Sequence, residues 1–119
     1  MSFRVFASHK FRAQAKRLTR KYPSLNSELD ELSEQLAKNP TLGTPLGHDC
    51  YKIRLAVKSK GKGKSGGMRI ITWVVFQEYH IVSLLSIYDK SEQDTVSNQE
   101  LRFRIGLMRV QLGLDNIEN

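Results

Sequence analysis

Lys52 and Arg54 stand two residues apart in a stretch, 51–57, that alternates apolar and polar side chains, so both leave one face of a β-strand. Arg69 opens a second β-rich stretch, and Tyr88 closes a third, followed at once by Asp89, Lys90, Ser91 and Glu92. Hairpin-linked strands can bring these five positions, Lys52, Arg54, Arg69, Tyr88 and Lys90, to one outward side of a sheet. Such a set has what metal-free cleavage of RNA requires. A base takes the ribose 2′-hydroxyl proton, cations hold the charge growing on phosphorus, and an acid protonates the leaving oxygen. Tyr88 is the proton-transfer candidate beside Lys52 and Lys90; a tyrosine titrates near pH ~10, so neighbouring cations would have to lower it. Arg54 and Arg69 stay protonated and suit charge stabilisation. A set like this is poorly tuned for neutral pH, so positioning of the substrate by a third party must supply much of the rate.

Other chemistries fit less well. Gly63-Lys64-Ser65 mimics the end of a P-loop, but the first glycine of that motif would fall at position 58, which is Lys58. A strand follows rather than the helix whose N-terminal amides would hold phosphate. His9, His48 and His80 lie in separate elements, and Cys50 is the single cysteine, so neither a metal site nor a two-histidine nuclease is expected.

The 119-residue chain carries 19 Lys and Arg against 12 Asp and Glu, a net charge of +7, and these charges are segregated. Residues 1–27 and 50–77 contain no acid, while Glu28, Asp30, Glu31 and Glu34 form a short acidic block between them. A field of one sign over part of a surface suits a phosphate backbone better than mere solubility, which mixed charges provide. Lys58, Lys60, Lys62 and Lys64 sit on a glycine-rich arm without an acid. The arm can follow a backbone without reading bases, with Arg12 and Lys16 of the first helix as further docking charges. The expected compartment is the cytoplasm. One cysteine fits reducing surroundings, the N-terminus has no signal-peptide pattern, and no apolar run spans a bilayer.

The elements that must position these residues follow from periodicity. Phe3–Phe6 reads as a short opening strand. Ser8 caps a helix carrying Phe11, Ala15, Leu18 and Tyr22 on one stripe, and Pro23-Ser24 breaks it. A second helix carries Leu25, Leu29, Leu32 and Leu36 and stops at Asn39-Pro40. A loop with Gly43, Pro45 and Gly47 precedes an antiparallel meander over 51–57, 68–76 and 81–88, turning around Gln77-Glu78-Tyr79. Ser97–Glu100 matches a capping box for a last helix with two apolar stripes: Leu101, Ile105, Met108 and Leu112, then Phe103, Leu107, Val110 and Leu114. Two such stripes mean a helix wedged deep in the core or one awaiting a partner. The expectation is one α+β domain over 1–119. It has a twisted antiparallel sheet of about four strands, a helical hairpin on one face and a C-terminal helix.

Three segments resemble the RelE/ParE superfamily of bacterial toxins, in its RelE and HigB-like branch. They are Tyr51-Lys52-Ile53-Arg54-Leu55-Ala56, Gly63-Lys64-Ser65-Gly66-Gly67-Met68-Arg69-Ile70-Ile71, and Leu84-Leu85-Ser86-Ile87-Tyr88-Asp89-Lys90-Ser91-Glu92. The order of elements resembles that family over nearly the whole chain. The resemblance implies a microbial-RNase-like fold and the toxin of a type II toxin–antitoxin pair, an mRNA interferase that enters the ribosomal A site and cuts mRNA there without metal or cofactor. It also implies a cognate antitoxin, for which the second apolar stripe of the last helix is one docking place, and no membrane partner. The family's cations would fall on Lys52, Arg54, Arg69 and Lys90, and Tyr88 matches a tyrosine of HigB-like members. The histidine that some relatives use has no counterpart in the C-terminal segment. Two readings stay open beside this one: a ParE-like inhibitor of DNA gyrase, and a catalytically silent nucleic-acid-binding module on the same scaffold.

Overall fold

The computed structural model describes residues 2–61, 63, 66–75, 79–93 and 95–114. The chain opens with β1 (Arg4–Ala7) and turns at Ser8 into α1 (His9–Lys21). Ser8 Oγ accepts the Phe11 N–H at 3.0 Å and donates its own proton to the Leu85 carbonyl at 3.0 Å, so one hydroxyl both starts the helix and ties it to the sheet. Pro23 and Ser24 separate α1 from α2 (Leu25–Lys38). Then come β2 (Thr44–Gly47), β3 (Cys50–Leu55), a 3-10 turn (Lys58–Lys60), β4 (Met68–Val75), β5 (Ile81–Asp89) and α3 (Asn98–Leu112).

The sheet has five strands in the order β1-β5-β4-β3-β2. Two features depart from the four-stranded antiparallel expectation. β1 pairs parallel to β5, Arg4 opposite Ile81, so the sheet is mixed; and Thr44–Gly47, which reads as a loop, adds an edge strand against β3. β2 is legible as a strand only from its pairing. It contains Pro45, which cannot donate to a ladder and is tolerated at an edge.

Two cores lie on the two faces. The α1–α2 hairpin packs Phe11, Leu18, Leu25, Leu32 and Leu36 on Ile53, Met68, Ile70, Val82, Leu84 and Ile87. Across the sheet, α3 brings Leu101 and Met108 to Cys50, Ile71, Trp73, Val75, Leu85 and Tyr88. β4 and β5 are therefore buried on both faces, which explains their almost unbroken apolar runs. Each fully buried leucine of the hairpin stabilises the fold by about 1.5–3 kcal/mol.

A β-bulge in β5 sets which residues face which helix. Thr72 opposes Leu84 and Ile71 opposes Ser86, so Leu85 is the additional residue. Leu84 and Ile87 thus face the hairpin while Leu85 and Tyr88 face α3. β1 ends opposite Leu84, and beyond it Gln14 of α1 serves the strand instead. Its Oε1 accepts from the Ile87 N–H at 3.1 Å and the Ser86 hydroxyl at 3.2 Å.

At the other end of the sheet, a Cβ on Gly67 would lie 2.0 Å from the Leu55 carbonyl oxygen. Only glycine lets β3 and β4 close there, one residue before Met68 pairs with Leu55. Gly67→Ala is expected to cost about 1–3 kcal/mol. It should also raise amide exchange selectively at Leu55 and Met68, measured by hydrogen–deuterium exchange.

α3 starts at Ser97, whose Oγ accepts the Glu100 N–H at 3.1 Å, and ends at Gly113 in the left-handed region at φ 73°. The Glu100 carboxylate turns to Arg104, 3.7 Å away. Of the two apolar stripes, the first packs on the sheet. In the second, Leu114 is buried, whereas Phe103, Leu107 and Val110 remain exposed at 58%, 48% and 60%. Among the described residues, no helix is long and apolar enough to cross a membrane.

Candidate active site

Arg54, Arg69 and Tyr88 form one row across three adjacent strands. Arg54 opposes Arg69 in the β3–β4 ladder, and Arg69 opposes Tyr88 in the β4–β5 ladder. Neighbouring strands lie about 4.8 Å apart, so the row spans about 10 Å, the scale of one phosphodiester with its flanking sugars. Lys52 precedes Arg54 by two residues on the same face, opposite Ile71. Lys90 follows β5 in a turn, and its N–H donates to the Gly67 carbonyl at 3.3 Å, beside the end of the row. Four of the five candidate catalytic residues therefore share one face at one end of the sheet, and Lys90 stands in the turn just past Tyr88 and Asp89.

That face is not open. It is the face α3 covers, so Tyr88 and Arg69 are only 3% exposed, and Tyr88 shares a core cluster with Leu101 and Met108. Arg54 and Lys90 are exposed and Lys52 is half-buried. The row thus runs from solvent at Arg54 into the interior at Tyr88. An Arg–Arg cross-strand pair is unfavourable in itself. The Arg69 guanidinium donates to the Met68 carbonyl at 3.3 Å, and a phosphate lying between the two guanidinium groups would neutralise both.

The glycine-rich segment after β3 is more ordered at its root than a free arm. Ser24 and Ser59 exchange hydrogen bonds, with Ser59 N–H to Ser24 Oγ at 3.0 Å and Ser24 N–H to Ser59 Oγ at 3.2 Å. The Lys58 N–H donates to the Glu28 carboxylate at 2.8 Å. The acidic block at the start of α2 thus anchors the basic segment. Lys58 keeps its side chain in solvent. Lys62 and Lys64 lie outside the described residues, as does most of the turn at Gln77-Glu78-Tyr79.

Lys60 corrects the reading of four lysines without an acid. Its ammonium lies 3.1 Å from Asp89 Oδ1, with side-chain exposures of 9% and 2%, and it also donates to the Gly66 carbonyl. Asp89 in turn accepts the Ser91 N–H at 2.9 Å, the Ser91 hydroxyl at 2.8 Å and the Tyr22 hydroxyl at 3.4 Å. Burial pushes the Asp89 carboxyl up, but the Ser91 and Lys60 donors and the Lys60 charge outweigh it and hold its pKa below the usual value. Lys60 is therefore a structural cation that clamps the segment to the end of β5. Asp89 and Tyr22 were missed by sequence reading as partners. The Asp-x-Ser spacing of 89–91 is the one local signal, since it suits an Asx turn.

Arg12 and Lys16 are exposed on α1, and α1 covers the opposite face of the sheet from the row. Cys50 is buried as expected. Desolvation, with the nearby Asp49 charge, pushes its thiol up to about 12. It should resist iodoacetamide at pH 8 in the folded protein and react at the ordinary rate in denaturant, followed by mass spectrometry.

No family model matches the chain, and no curated protein matches it. The mixed sheet with a helical hairpin on one face and a C-terminal helix on the other is the RelE-like fold, as the resemblance in sequence implies. Among solved structures the chain is similar to E. coli toxin RelE, a variant with two arginines replaced by alanine, in the free state. The TM-score is 0.62 at 18% identity, over 88% of this chain and 99% of that one.

Proposed function

We propose that this chain is the toxin of a type II toxin–antitoxin pair, a ribosome-dependent endoribonuclease that cuts translated mRNA in the A site and acts in the cytoplasm with a cognate antitoxin. The observation that carries the reading is the single register row of Arg54, Arg69 and Tyr88, flanked by Lys52 and Lys90. An inhibitor of gyrase has no need of a phosphate-cleaving row, nor has a silent binding module.

In this reading Arg54 and Arg69 bracket the scissile phosphate and hold the charge of the pentavalent state. Tyr88, with Lys90 two residues beyond it and Lys52 two strands away on β3, handles the proton transfers. Because Tyr88 and Arg69 are covered, α3 or the chain leading into it shifts when RNA enters from the Arg54 and Lys90 side. Docking on the ribosome supplies that opening and the alignment, so naked RNA is expected to be cut weakly. Lys58, beside α2, supplies docking charge together with Arg12 and Lys16 of α1, and the sequence adds Lys62 and Lys64 to the same basic segment.

Induction in bacteria tests the reading. Primer extension on mRNA from induced cells is expected to reveal new 5′ ends within translated regions, while purified protein leaves the same transcripts largely intact. Intact transcripts with gyrase-dependent DNA breaks would move the assignment to the ParE-like reading.

A further inference from the structure

Asp89 stands between two residues of the proposed reaction centre, one position after Tyr88 and one before Lys90. It lies opposite Met68 in the β4–β5 ladder, and Met68 packs against the helical hairpin, so the Asp89 side chain shares that face and not the face of the row. It is 2% exposed and holds Lys60 and the Tyr22 hydroxyl. It therefore touches no substrate on the far side of the sheet, yet the backbone it fixes carries both Tyr88 and Lys90.

The turn after β5 is closed by this one residue. Its Oδ1 accepts the Ser91 N–H at 2.9 Å and the Ser91 hydroxyl at 2.8 Å. Its carbonyl accepts the N–H of Glu92 at 3.0 Å and of Gln93 at 3.1 Å. Lys90 is the first residue inside that loop, and its N–H ties the turn to the Gly67 carbonyl. Lys60, held by Asp89, also donates to the neighbouring Gly66 carbonyl. Gly66 and Gly67 have no side chains that could fix the start of β4 by packing. Polar ties to the Asp89 turn do so instead, two residues before Arg69.

Apolar residues of like volume commonly stabilise a fold as well as a buried ion pair does. What a fully bonded polar network adds is a single arrangement, and here the arrangement is that of the turn bearing Lys90. We propose that Asp89 is a positioning residue for the mRNA cleavage put forward above. Through its bonds to Ser91 and Lys60 it fixes turn 89–93, so that the Lys90 ammonium stands beside the row of Arg54, Arg69 and Tyr88. The inference rests on that reading of function and names how one of its groups is held in place.

Two double variants test it, Lys60→Met with Asp89→Asn and Lys60→Met with Asp89→Ala, neither of which leaves a buried charge unpaired. Asparagine keeps an acceptor for Ser91; alanine does not, and the exposed Ser91 then turns its donors to water. In cleavage of a translated mRNA on ribosomes, the asparagine variant is expected to keep a kcat about tenfold or more above that of the alanine variant at similar KM. Adding Lys90→Met to each should abolish the difference, because Lys90 is the group being placed. In hydrogen–deuterium exchange the amides of Lys90 and Ser91 should open only in the alanine variant, with Ile70 and Ile87 protected in both. Equal cleavage by the two double variants, or equal exchange at Lys90, would overturn the inference. A tenfold difference that persists with Lys90→Met would overturn it too, since Asp89 would then support the fold at large. No cleavage by the unsubstituted chain would instead bring down the functional reading, so the two failures are told apart.

Discussion

Arg69→Ala and Tyr88→Phe are expected to lower mRNA cleavage by factors of about 10²–10³ and about 10²–10⁴ respectively, and to relieve growth arrest. The first removes the central cation of the row, and no neighbour can replace a fixed planar guanidinium between β3 and β5. The second deletes one hydroxyl and leaves the ring in its core cluster with Leu101 and Met108. Its melting temperature should therefore move little while activity falls. Arg69→Ala empties a buried site and loses the hydrogen bond to Met68, so it is expected to cost about 1–3 kcal/mol as well, and Tyr88→Phe separates that loss from the effect on rate. Two folded, fully toxic variants would place the reaction centre elsewhere. Lys60→Met offers a contrast, since it removes a cation of the same region that clamps rather than reacts.

Lys60→Met is expected to destabilise the fold by about 3–5 kcal/mol at pH 7, because it leaves the Asp89 carboxylate buried without its cation. Methionine keeps much of the side-chain length, so the loss is one of charge more than of volume. The pH dependence identifies the cause. In the native protein the Asp89 pKa lies below its unfolded value of about 3.9, so its contribution is complete above that pH and is lost as pH falls through the folded value. Without Lys60 the burial that raises the carboxyl pKa has less to oppose it. The variant's deficit should then persist down to about pH 4 and shrink below it, as the Asp89 carboxyl protonates in both proteins. Urea titrations of both proteins from about pH 7 to below pH 4 measure this. Lys60→Met combined with Asp89→Asn should recover most of the loss. A deficit under about 1 kcal/mol, or one independent of pH, would mean the pair behaves as a surface ion pair.

Much of this was legible because local rules act where local residues decide. Ser8 and Ser97 cap their helices, the leucines of α2 recur at helical spacing, and alternation places Lys52 and Arg54 on one face. Even the row of Arg54, Arg69 and Tyr88 follows from antiparallel register once the meander is accepted. What was not legible depends on distant partners. β2 contains Pro45 between glycines and becomes a strand only through β3. The parallel partner of β1 cannot be read from its four residues. Lys60 and Asp89 are separated by 29 positions, so a lysine that looks like one of four solvated charges proves to be an interior one. The covered state of the row escaped for the same reason. Periodicity marks the apolar stripes of α3 without saying which face of the sheet receives them.

The parallel pairing of β1 with β5 bears on how the molecule is made. Arg4 pairs with Ile81, the Ser8 hydroxyl reaches Leu85, and His9 meets Gln111, 102 residues later. β1 therefore waits for a strand 77 residues further along the chain before it has a partner, and such long-range closure is the slow kind. The row of Arg54, Arg69 and Tyr88 needs β5 as well. Assembly of the row is thus deferred until β5 has followed β3 and β4 off the ribosome, so a protein proposed to cut messages in the act of translation is itself unarmed while that much of its own message is being read.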